Sequence, residues 1–419
     1  MGGNIMGLGP SIKMTTLHHF DCPLTRALRE DKDLEFCGIV VDGVSEVFDD
    51  KVYTAKRSAD LAQAMRADAA IVAIDGWGNH HVDFVNVIEQ LGLKDIPSVA
   101  LSFVGLQGRL VCSNEYVDCL IDFNKGESGY ENCVVGYNNL TYLDAKKAVA
   151  ILKSKLRKVG KPVDNTRNLD EEKVLKRLTV KEYPVKNVEF GDKTEISRGT
   201  LTIDRNLKNK YKDKLIKDVN ISIVSPGEYD FFVNSNLDFS PIAVKERGEL
   251  GQGITRLLKG VTTMLTGVED KSGFQPSNIG SSEGLLRDQV TFDREGTPSS
   301  QDYLLHIDFL FEEGQGRTAE GLMAAHRIGD MIVNDIRSKI KDIDDMPYER
   351  KEYYDLYKPG KRKVVLIKIV SGLGNMYDTS MFPFEPGGFL GSRNMMNSQN
   401  VPYVISPNQC KDGAIHSLL

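Results

Sequence analysis

What this chain lacks narrows its chemistry before any motif is read. Its six cysteines, at positions 22, 37, 112, 119, 133 and 410, contain no C-x-x-C pair. A zinc site of tight ligand spacing is therefore not expected, and no metal is assigned. A disulfide framework is not expected in a large intracellular chain. Cys37, Cys112 and Cys119 stand in apolar surroundings and read as small buried hydrophobes. No apolar run approaches the ~18 residues that a membrane span requires. The first residues, with only Lys13 ahead of an interrupted apolar stretch, do not read as a secretory signal, so the cytoplasm is the expected location. A basic excess is missing too. The net charge of -6 and the pI near 5.8 offer no clustered basic face for nucleic acid. Neither a P-loop, nor G-x-S-x-G, nor H-E-x-x-H occurs.

What is present is an ordinary globular balance, 41% apolar and 27% charged, in a chain longer than one core usually serves. The fold class expected is α/β: a doubly wound parallel-sheet domain over 1–157, a linker over 158–178, and a second α/β domain with a mixed sheet over 179–419. The first part alternates apolar strands (Phe36–Val44, Ala69–Ile74, Ser98–Phe103) with helical patterns (Lys56–Arg66, Asp83–Leu91, Thr141–Leu156). Strands without polar alternation, each returning through a helix, indicate a parallel sheet covered on both faces. After a basic, aperiodic stretch the character turns to β, with a hairpin expected over Val188–Ile203 and strands at Asn220–Val224 and Gly260–Leu265. Ala319–Ile340 carries the longest helical pattern. Lys363–Val370 and Val401–Ser406 are expected as further strands of this second part.

In open parallel sheets ligands bind beyond the carboxyl ends of the strands. The turn after Ala69–Ile74 runs from Asp75 through Trp77, the only tryptophan, to Asn79, His80, His81 and Asp83 at a helix start. Such a start attracts anions, a substrate carboxylate among them, and disfavours a protonated histidine. Asn79 equally suits a helix cap, with both histidines solvated. The turn Ser371–Asp378 contains Gly372 and Gly374, but Tyr377 occupies the third glycine position of a dinucleotide fingerprint, so neither NAD nor FAD is expected. Gly248–Arg256 is a glycine-rich polar loop that also reads as a surface hairpin. His326 lies on the long helix, where a lone histidine is often structural. His416 follows the turn pair Asp412-Gly413.

Taken together, these segments resemble the D-proline reductase proprotein family. Residues 7–155 are similar to its pyruvoyl-bearing portion, on Gly76-Trp77-Gly78-Asn79-His80-His81-Val82-Asp83-Phe84 and Ile88-Glu89-Gln90. Residues 176–419 are similar to its larger portion, on Val188-Glu189-Phe190, Gly248–Arg256, Gly280–Gly284, Ala324–Arg327 and Asp412–His416. Both parts are more distantly similar to component B of glycine, sarcosine and betaine reductases. The order of the parts is reversed, which looks like two accessory proteins of the proline reductase cluster fused, or a circularly permuted proprotein core. Folded domains often keep their termini close, so either arrangement could preserve the assembly. On this view His416 and Pro10 are expected to lie near each other.

In that family a cysteine at the junction of the two parts is converted to a pyruvoyl group. The resemblance implies reductive C–N cleavage of D-proline to 5-aminovalerate in Stickland-type amino-acid fermentation, with a selenocysteine-containing partner subunit. Gly7 stands where the cysteine is expected, Leu419 ends the sequence before any cysteine, and Cys410 is too far upstream. Glycine has no β-heteroatom to attack the preceding peptide bond, so no pyruvoyl group and no other covalently bound cofactor are expected. The resemblance then implies an accessory or assembly component of the reductase system. The alternatives are a catalytic reductase subunit using a partner's carbonyl and selenocysteine, and a module that binds an amino acid without turnover. Candidate catalytic residues are His80, His81 and His416; candidate substrate-binding residues are Asn79, Asp83, Glu249, Arg256 and His326. The expected partners are D-proline reductase subunits, a homo-oligomer being left open; neither nucleic acid nor a membrane is expected.

Overall fold

Long apolar runs build a six-stranded sheet near the start of the chain, but its strands come from both ends of the sequence. The computed structural model describes residues 15–417 except 46, 75–79, 105–109, 124–133, 138–139, 164–171, 270–283, 317, 371–397 and 399. In chain order the first part comprises α1 (Thr16–Phe20), α2 (Pro23–Glu30), β1 (Leu34–Gly43), α3 (Phe48–Ala64), β2 (Ala69–Ile74), α4 (His80–Gly92), β3 (Ser98–Ser102), β4 (Leu120–Asp122) and α5 (Tyr142–Lys158). The second comprises β5 (Lys173–Pro184), β6 (Asn187–Gly191), β7 (Glu195–Ser197), β8 (Thr200–Asp204), β9 (Ile216–Val224), β10 (Phe232–Val233), β11 (Ser235–Arg247), β12 (Gly253–Glu269), β13 (Gly284–Leu285), α6 (Leu286–Gln289), β14 (Tyr303–Phe311), α7 (Ala319–Ile340), β15 (Glu349–Tyr357), β16 (Arg362–Val370), β17 (Tyr403–Ile405) and α8 (Pro407–Lys411).

The first sheet has the order β17-β1-β16-β2-β3-β4. Strands β1, β16, β2, β3 and β4 are parallel, and β17 closes one edge antiparallel to β1. The strand expected over Lys363–Val370 is therefore present, but it belongs to the first sheet and not to the second. Its run Val364–Val370 is buried throughout, and such a strand fits the centre of a sheet covered on both faces. Helices α3 and α4 pack together, as do α2 and α5. Asp42 and Val41 of β1 pair in register with Ile369 and Lys368 of β16. Side chains alternate along a strand, so Asp42 and Lys368 project from opposite faces. Asp42 reaches Ser58 of α3, whereas Lys368 reaches Cys22 at the entry to α2.

The second sheet is mixed, in the order β15-β5-β12-β14-β9 with β11 antiparallel to β12. Its long central strand changes partner midway. Residues up to Lys259 pair with β5, and those from Val261 pair with β14. Gly260 sits at the handover with φ +93°, where an added Cβ would lie 2.4 Å from the Val185 carbonyl oxygen; only glycine fits. Strand β5 starts at Lys173, inside the stretch expected as linker. Its first residues are exposed and charged, so composition there reads as linker although the backbone pairs with β15. The hairpin expected over Val188–Ile203 is β7–β8, turning through Arg198 and Gly199, with β6 added parallel to β8. Helix α7 lies against β11 and β12. One apolar cluster runs without a break from Leu24, Ile39 and Val72 to Leu265, Ile307 and Ile332, so the two sheets share a core. Among the described residues no helix is long and apolar enough to cross a membrane.

Candidate functional site

The carboxyl-end edge of the first sheet gathers one group of polar side chains. Helix α4 begins at His80, three residues ahead of the expected Asp83, so both histidines lie inside its first turn. His80, His81 and Asp83 are all buried. Lys51, from the first turn of α3, brings Nζ to 2.5 Å from Asp83 Oδ2. The Ser45 backbone N–H donates to Asp83 Oδ1 at 3.2 Å. Burial outweighs the lysine and raises the Asp83 carboxyl to about 6. Asp42, near the end of β1, accepts from Ser58 Oγ at 2.8 Å. Its own burial, opposed by that hydrogen bond, raises it to about 7.

The histidines behave in the opposite sense. Burial holds His80 at about 3, assisted by the charge of Lys51, and holds His81 at about 4. His81 Nδ1 accepts from the Val111 N–H at 3.3 Å, and its Nε2 lies 3.0 Å from Ser102 Oγ at the end of β3. A nitrogen that accepts carries no proton, so the proton sits on Nε2 and is donated to Ser102. This edge therefore presents uncharged imidazoles, one ammonium, and two carboxyls that change protonation near neutral pH. Such carboxyls suit proton transfer. The segments that follow β2, β3 and β16 in sequence fall at 75–79, 105–109 and 371–397, outside the described residues; Asn79 is among them.

A second group forms where the N-terminal helix meets the Asp412–His416 block. The ring of Phe20 meets His416 edge-on at 5.8 Å. Cys410 Sγ lies 2.7 Å from the His19 carbonyl oxygen, and Lys411 pairs with Asp21 at 2.8 Å. Asp412 is fully buried; its carboxylate accepts from Lys245 Nζ, the Gly251 N–H and Thr255 Oγ1, each at 2.8 Å. That fastens the Asp412–His416 block to the Gly248–Arg256 hairpin. Lys368 is 1% exposed, with Nζ 3.4 Å from both His18 Nδ1 and Cys22 Sγ. Burial, then the charge of Lys368, pushes His18 and His19 well below the usual histidine range.

The remaining expected site residues are dispersed. Glu249 is exposed at the tip of the β11–β12 hairpin. Arg256 is committed to the protein itself: Nε pairs with Glu246 at 2.6 Å, and Nη1 donates to the Ile340, Lys341 and Ile343 carbonyls at the end of α7. His326 is buried on α7. Gly7 and Pro10 lie outside the described residues. Cys37, Cys112 and Cys119, expected as buried hydrophobes, are partly exposed; among the described residues Cys22 and Cys410 are the buried thiols. Neighbouring apolar letters in the sequence do not reveal which side of a loop or edge strand a thiol takes. Reading the sequence missed Lys51, Asp42, Ser102, His18, His19 and Lys368. One signal was available: Lys368 is a charge set within the apolar run Val364–Val370 of a strand buried on both faces. Among the described residues no three His, Cys, Asp or Glu side chains converge to hold a metal ion.

Comparisons with known proteins bear on both groups. The profile of the glycine/sarcosine/betaine reductase component B subunits matches residues 1–118 and 176–282, together more than half of the chain. The chain is similar to the D-proline reductase proprotein PrdA of Acetoanaerobium sticklandii, 36% identical over 252 residues, or 59% of this chain and 40% of the proprotein. It is also similar to the glycine reductase complex component B subunits alpha and beta of that organism, 24% identical over 266 residues, or 58% of this chain and 55% of that protein. The matches thus span about half the length of these curated relatives. No solved structure matches the chain significantly.

Proposed function

The chain belongs to the family of glycine/sarcosine/betaine reductase component B subunits, and on that premise we propose that it is a component of a D-proline reductase-type system, an accessory or assembly paralogue that makes no pyruvoyl group of its own. The observation that carries this reading is the meeting of the Asp412–His416 block with the N-terminal helix, through the contacts of Phe20 with His416 and of His19 with Cys410. The block that resembles the tail side of the family's junction thus packs against the helix that follows the head segment in sequence, and position 7 is glycine. A self-made carbonyl does not fit there, since glycine has neither the β-heteroatom for autocleavage nor an atom to convert. The proposed partners are D-proline reductase subunits, including the one that contains selenocysteine. Intact-mass measurement after phenylhydrazine treatment tests the first half: the expected result is an unprocessed chain without a hydrazone, and a cleaved, adducted chain contradicts it. Co-purification with the selenium-containing subunit tests the second half, and its absence under conditions that preserve the reductase counts against an accessory role.

The carboxyls near neutrality at the first sheet's edge favour a second reading, in which the chain is a catalytic subunit borrowing a partner's carbonyl. Breaking a C–N bond leaves an amine that needs a proton, and Asp42 or Asp83 is tuned to supply one. Turnover of D-proline by the reconstituted subunits, lost on omission of this chain and in Asp83→Asn, distinguishes this reading from the accessory one. Heat of D-proline binding to the isolated chain without turnover would support the non-catalytic binding module instead.

A further inference from the structure

A directed run of hydrogen bonds crosses the mixed sheet and ends at a cavity that neither group above uses. Its members are cross-strand neighbours. Ser222 of β9 pairs with His306 of β14, and Asp308, two residues further, pairs with Thr266 of β12. Ser222 Oγ lies 3.1 Å from His306 Nδ1, and Thr266 Oγ1 lies 2.7 Å from His306 Nε2. Thr266 also bonds Asp308 Oδ1, and Asn234 Nδ2 donates to both Asp308 oxygens at 3.0 and 2.9 Å. The carboxylate fixes the polarity of the run. An ionised Asp308 can only accept, so Thr266 donates its hydroxyl proton to it and accepts in turn from His306 Nε2–H. His306 Nδ1 is then left without a proton and accepts from the Ser222 hydroxyl.

Ser222 is only half-buried, on the edge strand β9, and it lines a cavity of about 460 Å³ with Val224, Gly227, Glu228 and Phe231. That volume suits a small ligand. The Phe231 ring lies 5.8 Å from the His306 ring. A serine hydrogen-bonded to a bare histidine nitrogen, with the other nitrogen oriented by a third group, is the arrangement that activates a nucleophile.

We propose that Ser222 is a nucleophile and His306 its base, acting on a small ester or activated amide whose acyl group is uncharged or cationic. Glu228 on the cavity rim disfavours an anionic one. Ser222 Oγ forms a bond to the acyl carbon while its proton passes to His306 Nδ1. The bond to the leaving group breaks, and that group departs with its electron pair and takes the proton from His306. Water, deprotonated by the same nitrogen, then cleaves the acyl-serine to a carboxylic acid and regenerates Ser222. No oxidant or reductant is involved. Thr266 and Asp308 are positioning residues, which keep the proton on Nε2.

A fluorophosphonate probe on the full chain tests this. The expected result is one adduct, mapped to Ser222 by peptide mass analysis and absent from Ser222→Ala. In His306→Gln labelling should slow about 100-fold or more. In wild type it should fall as acid protonates His306, and in Thr266→Val that pH profile should move. Ser222→Ala sits at a half-buried edge position, and its thermal unfolding reports whether the fold persists. An unlabelled Ser222 in the wild type overturns the proposal, as does equal labelling of Ser222→Ala. A rate that does not fall with acid anywhere in the pH range over which the fold persists removes His306 as the base.

Discussion

Lys51 and Asp83 share a site from which water is excluded, and that isolation sets what substitution does to them. Their side chains are 2% and 7% exposed, so removing one partner leaves a buried, uncompensated charge. Lys51→Met should cost about 3–5 kcal/mol of stability at pH 8 in urea unfolding. Neutralising the stranded carboxylate as well, in Lys51→Met/Asp83→Asn, should recover part of the loss. A double variant as unstable as the single one would rule this account out. Asp42 makes a different case, because the folded state raises its carboxyl from 3.8 to about 7. The folded protein therefore holds a proton that the unfolded chain releases. The associated stability is complete below about pH 4 and is lost as pH climbs to 7, above which the buried carboxylate is a cost. Asp42→Asn should accordingly be more stable than wild type at pH 8, by roughly 1–4 kcal/mol, with the difference vanishing only below about pH 4. Parallel stability profiles for the two proteins across that range would contradict the assignment. None of this was legible in the sequence: an aspartate two residues from the end of a strand looks the same whether it faces solvent or the underside of a helix.

At the scale of elements, periodicity carried much of the information. The helix expected over Ala319–Ile340 is α7 with the same bounds, and Ala69–Ile74 is β2. Both owe this to a pattern that burial imposes on every turn or every residue. Helix α3 was expected over Lys56–Arg66 but begins eight residues earlier, at Phe48. Its first turn is acidic and partly exposed, so it lacks an apolar stripe although Asp49 and Asp50 suit a helix start. The end of α7 was less legible still. Its last carbonyls have no partner within the helix, and they are met by Arg256 from β12, some eighty residues away in sequence. Arg256→Ala should lower stability by about 1–3 kcal/mol, since it withdraws a charged donor from several carbonyls at once. Arg256→Lys should recover only part of this, because one ammonium cannot reproduce the planar fork. Thermal unfolding checks both, and an unshifted midpoint in Arg256→Ala would show that the carbonyls find other donors.

At the scale of the molecule, the strand that joins the two parts of the first sheet arrives late, well after β1 to β4. Which strands neighbour each other is not encoded in their apolar content, and β16 reads equally well as a member of either sheet. Its position between β1 and β2 means that residues 1–163 contain β1 and the β2–β3–β4 part of the sheet without the strand that joins them. A fragment of those residues should therefore show no cooperative unfolding transition, and adding residues 172–417 in trans should restore one. A fragment that unfolds cooperatively alone would mean that β1 and β2 can pair directly. Late arrival of β16 also has a consequence during synthesis. About 290 residues separate β2 from β16. At ~5–20 residues per second, β1 and β2 emerge from the ribosome roughly 15–60 s before the strand that pairs with both of them. For that interval two apolar strands stand with open hydrogen-bonding edges, which are templates for aggregation. The nascent chain is thus expected to depend on a chaperone that shields those edges, and to be most vulnerable when translation pauses ahead of residue 362.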